Sequence, residues 1–165
     1  WALGLVVFCF SHVAMFFLLP ESINPVGGAA GWVLFLVLLT ESHDIAQALW
    51  GRRFGKHKLI PHISPGKTWE GLILGTLTTL TLAVLLAPVL TPLSASGRFA
   101  RPLLGGLLIA VGGLFGDLTM SAVKRDVGVK DSGTLIPGQG GLLDRIDSLT
   151  FTAPMFFYFV YFLYA

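Results

Sequence analysis

Charge is scarce in this chain. Only 12% of its 165 residues are Asp, Glu, Lys or Arg, about half the share usual in a soluble domain. Cysteine is nearly absent. Cys9 stands alone, which excludes an intrachain disulfide and any zinc site built on cysteines. The only asparagine, Asn24, precedes Pro25, so there is no glycosylation sequon. A net charge of +2 is too small to suggest nucleic acid as a partner. No internal repeat, low-complexity tract or soluble domain stands out. What remains is apolar: 54% of residues are hydrophobic and mean hydropathy is +0.78. Repeated apolar runs of about 20 residues predict membrane helices. The expected fold is an all-α polytopic transmembrane bundle of about five spans, forming a single domain over residues 1–165. Because the chain begins at Trp1, inside an apolar run, it reads as a piece of a longer protein.

Residues 1–19 form the first expected span, with Ser11 and His12 in mid-span as a polar helix–helix contact. Pro20 and Pro25 bracket a short loop. The second span begins over residues 26–40 with the small-residue run VGGAAGW, then meets Glu41, His43, Asp44 and Gln47. Glu41 and Asp44 are three apart and share one helix face. Two carboxylates there cannot face lipid and are candidates for a site. Residues 51–68 carry five Lys/Arg and no acid; their glycines and prolines read as a basic loop. The SPGKT ending lacks the first glycine and the strand–helix context of a P-loop. A third span covers residues 69–90, opened by Glu70, which complements the helix dipole. After a loop at 91–101, a glycine-rich fourth span runs from Pro102 to about Val123, and the last covers about Leu149 to Ala165. The basic segments 51–68 and 124–147 are two spans apart. They therefore share one side of the membrane and hold nine of the eleven Lys/Arg. The positive-inside rule makes that side cytoplasmic.

The stretch from Gly116 to Ser148 concentrates the chemistry. It holds five of the nine acidic residues between apolar runs. Asp117, Ser121 and Lys124 fall at i, i+4 and i+7, one stripe of a helix, with Arg125 beside it. Lys130 and Asp131 precede a Gly/Pro-rich segment whose free N–H groups could meet phosphate oxygens. Asp144, Arg145 and Asp147 follow. Carboxylates, cations and free amides at one membrane face suggest metal-dependent phosphoryl or nucleotidyl chemistry, because Mg²⁺ prefers carboxylate and phosphate oxygens. No Ser-His-Asp or Cys-His arrangement stands out, and His43, His57 and His62 lack metal-ligand spacing.

The run SAVKRDVGVKDSGTLIPGQGGLLDRIDS resembles the signature of the phosphatidate cytidylyltransferases, or CDP-diacylglycerol synthases: a Ser, a Lys-Arg pair, a Lys-Asp pair, Pro-Gly-His-Gly-Gly and Asp-Arg-x-Asp. The upstream FGKHKL and SPGKTWEG also resemble that family, and the likeness covers about residues 41–80 and 113–165. Two departures stand out. Gln139 takes the place of the family's His and cannot accept a proton. SHDIAQ stands where many members carry a smaller ADSGAY-like run.

The resemblance implies transfer of a cytidylyl group from CTP to phosphatidic acid, giving CDP-diacylglycerol and pyrophosphate. It also implies further helices N-terminal to this segment and a home in the bacterial inner (cytoplasmic) membrane. Implied partners are CTP, phosphatidic acid and membrane lipid, with a homodimer as a further expectation. The implied cofactor is Mg²⁺, with room for a second cation, on Asp117, Asp144 and a third ligand, Asp131. Lys124, Arg125, Lys130 and Arg145 are the implied phosphate contacts. Asp44, Lys67, Ser121, Gly138, Gln139 and Gly140 complete the implied cavity. A CTP-dependent transferase or kinase acting on another lipid, an inactive paralogue and a cation-binding transporter stay open as alternatives.

Overall fold

The computed structural model describes residues 2–97, 99–129 and 147–164. Five α-helices occur among them: α1 (Ala2–Met15), α2 (Gly28–Phe54), α3 (Trp69–Leu90), α4 (Ala100–Asp126) and α5 (Leu149–Tyr164). The expected all-α membrane bundle is present. α2, α3 and α4 are long and apolar enough to cross a membrane, while α1 and α5 are shorter apolar helices. α3 presents Ile73, Leu77, Leu85 and Val89 outward at multiples of four residues, more than half exposed. An apolar stripe on the outside suits lipid rather than water.

The core lies where α2, α3, α4 and α5 meet, with α1 packed against it. Trp32, Phe35, Leu36 and Leu39 of α2 are fully buried with Ile109 of α4 and Phe156 and Val160 of α5. The Phe35 and Phe156 rings stack at 5.6 Å. His12 meets α5 through its ring, while its polar contact and that of Ser11 stay within α1. His12 is buried among Phe8, Phe157 and Tyr158, with Nδ1 2.9 Å from the Phe8 carbonyl.

Residues 51–68 are not the loop that their glycines and prolines suggest. α2 continues through Gly51 to Phe54, and β1 (Lys58–Ile60) pairs antiparallel with β2 (Ser64–Thr68). Helix, turn and α3 close on one another here. The Thr68 hydroxyl caps α3 by accepting from Gly71 N at 3.2 Å. Glu70 does more than complement the helix dipole. Its carboxylate accepts from the backbone N–H groups of Lys56 and His57 and pairs with His57 Nδ1, tying the hairpin base to α3.

α2 and α3 touch backbone to backbone. A Cβ on Gly71 would lie 2.6 Å from the Gln47 carbonyl oxygen, and one on Gly75 3.0 Å from Gln47 Cα. This seam brings the stretch of α2 that follows Asp44 against the hairpin, where Lys67 meets Gln47. A second close approach sets the other wall: a Cβ on Gly116 of α4 would lie 2.6 Å from the Asp147 carbonyl oxygen. The glycine-rich α4 thus packs tightly, as its composition predicts.

Candidate active site

Two helices, the hairpin and the turn before α5 deliver charged and polar groups to one end of the bundle. α2 supplies Glu41 and Asp44, β2 supplies Lys67, α4 supplies Asp117, Ser121 and Lys124, and the turn before α5 supplies Asp147 and Ser148. Glu41, Asp44, Lys67, Asp117, Lys124 and Asp147 line two adjoining lobes that share Asp44, Ala48 and Asp117. One lobe has a volume of about 300 Å³ and is also walled by Gln47, Arg52, Ser64 and Lys67. The other, about 370 Å³, is walled by Glu41, Lys124 and Asp147.

Lys67 is the hub. Its Nζ lies 2.6 Å from Asp117 Oδ2 and donates to Gln47 Oε1 at 2.8 Å. The pair explains how a carboxylate survives at the membrane boundary: it is paired and faces a polar cavity. The i, i+4 stripe on α4 is real, since Ser121 Oγ donates to Asp117 Oδ1 at 3.1 Å. The cation that answers Asp117 is Lys67, fifty residues upstream in another element, while Lys124 sits 3.9 Å from Asp147 Oδ2. Arg125 is exposed on the last turn of α4 and lines neither lobe.

Asp44 accepts from Ser148 Oγ at 2.5 Å through Oδ2, which joins α2 to the start of α5. Its Oδ1 is buried with no hydrogen-bond partner among the described residues. Asp147 accepts from Ser148 N at 2.9 Å. Burial first, then the negative charge of Asp117, push the Asp147 carboxyl up to about 7, against the pull of Lys124. His43 is fully buried. Thr79 Oγ1 donates to the Gly75 carbonyl, so it accepts from His43 Nδ1–H at 3.0 Å. That puts a proton on Nδ1 and leaves His43 a packing group outside the cavity.

The expected residues Asp44, Lys67, Asp117, Ser121 and Lys124 therefore converge. Lys130, Asp131, Gly138, Gln139, Gly140, Asp144 and Arg145 lie outside the described residues. Gln47 and Ser148 join the site without having been singled out for it, and so does Asp147, which was named with Asp144 and Arg145 but given no role. Asp147 had a signal, as the last carboxylate of the DRIDS run. Gln47 had none beyond being one turn after Asp44.

The donor set suits a hard dication, with carboxylates of Asp44, Asp117 and Asp147 around one cavity and one buried Asp44 oxygen unpartnered among the described residues. Among the described residues no three such side chains already converge into a metal cage. Lys67 and Lys124 on opposite walls can neutralise phosphate oxygens. Among the described residues no nucleophile–base pair lines the lobes, so what they offer is positioning and charge neutralisation.

A model of the cytidylyltransferase family matches residues 1–163. The chain is 54% identical over 160 residues to the uncharacterized protein YnbB of Escherichia coli, covering 97% of this chain and 52% of that protein. It is 43% identical over 134 residues to the phosphatidate cytidylyltransferase of Haemophilus influenzae, covering 79% of this chain and 46% of that one. With the chloroplastic phosphatidate cytidylyltransferase 5 of Arabidopsis thaliana it shares 44% over 142 residues, 82% of this chain and 34% of the plant protein. The chain spans about half the length of the bacterial relatives and a third of the plant one.

Proposed function

Since the chain belongs to the cytidylyltransferase family, we propose that it carries the catalytic end of an enzyme that transfers a cytidylyl group from CTP to phosphatidic acid. The products are CDP-diacylglycerol and pyrophosphate. The observation that carries this reading is the Gln47–Lys67–Asp117 cluster facing Asp44, Asp147 and Lys124 across one polar cavity at the end of a membrane bundle.

A phosphatidate oxygen attacks the α-phosphorus of CTP in line. A bond forms between that oxygen and phosphorus, and the bond to the bridging oxygen of pyrophosphate breaks. Lys67, held by Asp117, binds phosphate oxygens from the hairpin side, and Lys124 does so from α4. Ser121 orients Asp117, and Ser148 orients Asp44. Asp117 and Asp147 would hold Mg²⁺, joined on sequence resemblance by Asp144 and Asp131. When bound, the cation supplies charge neutralisation on the leaving pyrophosphate. No covalent enzyme intermediate is needed. The acyl chains lie between the apolar helix faces while the head group reaches the polar end.

The test uses the full-length protein in detergent with phosphatidic acid, CTP and Mg²⁺. CDP-diacylglycerol and pyrophosphate should form in equal amounts. Asp117→Asn and Asp144→Asn should each reduce the rate by about a hundredfold or more. Absence of both products from folded wild-type protein would overturn the reading.

A further inference from the structure

Gln47 contains an atom that the mechanism above leaves unused. The residue sits one turn after Asp44 on α2 and is 5% exposed. Its Oε1 accepts from Lys67 Nζ. An ammonium group can only donate, so the carboxamide oxygen must face Lys67 and the NH₂ must face away. That Nε2 is buried with no acceptor among the described residues. A buried amide donor without an acceptor is unfavourable, by an amount comparable to a lost hydrogen bond. Gln47 also walls the lobe that holds the two cations Arg52 and Lys67.

We propose that Gln47 is a substrate-binding residue that also positions the lysine. Its oxygen holds Lys67 between α2 and α4, and its N–H donates to a phosphate oxygen of the bound substrate. The two adjacent cations favour a phosphate as acceptor. Its source is either CTP or the phosphatidate head group. This inference rests on the nucleotidyl-transfer reading.

Gln47→Glu separates the two roles. At about pH 8 the new carboxylate still accepts from Lys67 but offers no N–H and repels phosphate. Gln47→Ala loses both roles. Gln47→Glu is expected to raise KM at least about tenfold for one substrate, with a smaller change in kcat. A rise for CTP places the contact on the nucleotide, and a rise for phosphatidic acid places it on the lipid. Gln47→Ala should lower kcat as well, because Lys67 loses an anchor. Thermal unfolding in detergent checks that each variant is folded. If Gln47→Glu matches the wild type in both KM values, Gln47 only props Lys67 and the inference fails.

The same variants are also tested with Mg²⁺ and inorganic pyrophosphate, reading the rise in Tm. This arm does not depend on turnover. A wild type without CTP activity that is still stabilised by pyrophosphate, when Gln47→Glu is not, would sink the nucleotidyl-transfer reading and keep the phosphate contact. Equal shifts, or none in the wild type, would overturn the contact itself.

Discussion

Lys67 shows how single residues carry this site. One ammonium group ties β2 to α4 through Asp117 and to α2 through Gln47. Lys67→Met would leave Asp117 half-buried without its cation. The expected cost is about 2 kcal/mol, below the range for fully buried pairs because Asp117 retains some exposure. Activity should fall about a hundredfold. Adding Asp117→Asn to Lys67→Met should recover part of the stability, since the stranded charge is gone. Thermal unfolding of the two single variants and the double variant measures that coupling.

Asp147 makes a pH prediction at the same scale. Its carboxyl is raised from the ordinary 3.8 to about 7 in the folded protein. Between those values the folded state holds a proton that the unfolded chain has released. Its contribution is therefore fully present below about 4 and is lost as pH rises through about 7. In Mg²⁺-free buffer, Tm should fall over that window, and Asp147→Asn should flatten the slope. A wild-type slope unchanged in the variant would assign the effect to another group. Because a cation competes with this proton, Mg²⁺ should bind more tightly as pH rises.

Between elements, the α2–α3 seam sets the geometry. A Cβ on Gly71 would meet the Gln47 carbonyl at 2.6 Å and Gly51 Cα at 2.9 Å, both backbone atoms that cannot swing aside. Gly71→Ala should therefore push α3 from α2, cost about 2 kcal/mol and lower activity by displacing Gln47 from Lys67. Thermal unfolding and turnover of the same sample test this. An unchanged Tm would mean that the seam is softer than its contacts indicate.

The five helices were legible because long apolar runs mark them, but prolines and charges do not mark their ends: α3 contains Pro88, and α2 runs on through Glu41 and Asp44 to Phe54. The hairpin was not. Lys58–Ile60 and Ser64–Thr68 are too short and irregular to show a strand alternation. Gly51 suggested a break, yet it lies inside α2, where a Cβ would come within 3.1 Å of Thr68 Oγ1. It is small for packing, not for a turn. In the site, the Asp117–Ser121 contact follows from helical spacing and could be read in advance. The Lys67–Asp117 pair could not, because no local pattern links residues fifty apart. Gln47 was hidden for the same reason, since its partner belongs to another element.

For the whole molecule, described cations from both basic segments meet at one end of the bundle: Arg52 and Lys67 share a lobe with Asp117, and Lys124 closes the adjoining one. We propose, on the positive-inside rule, that this end faces the cytoplasm. A protein carrying Cys9→Ser and His62→Cys tests the orientation, because His62 is exposed at the hairpin turn. A membrane-impermeant thiol reagent should label it only after bacterial cells expressing it are broken. Labelling in intact cells would reverse the topology.

The central claim is that the nucleotide's α-phosphate, rather than its γ-phosphate, moves to the lipid. The most direct measurement incubates the full-length protein, phosphatidic acid and Mg²⁺ with CTP radiolabelled at one phosphate or the other. Lipid-extractable label is expected from α-labelled CTP and none from γ-labelled CTP, with Lys67→Met suppressing it. Label reaching the lipid from the γ-position would mean a kinase and would contradict the account.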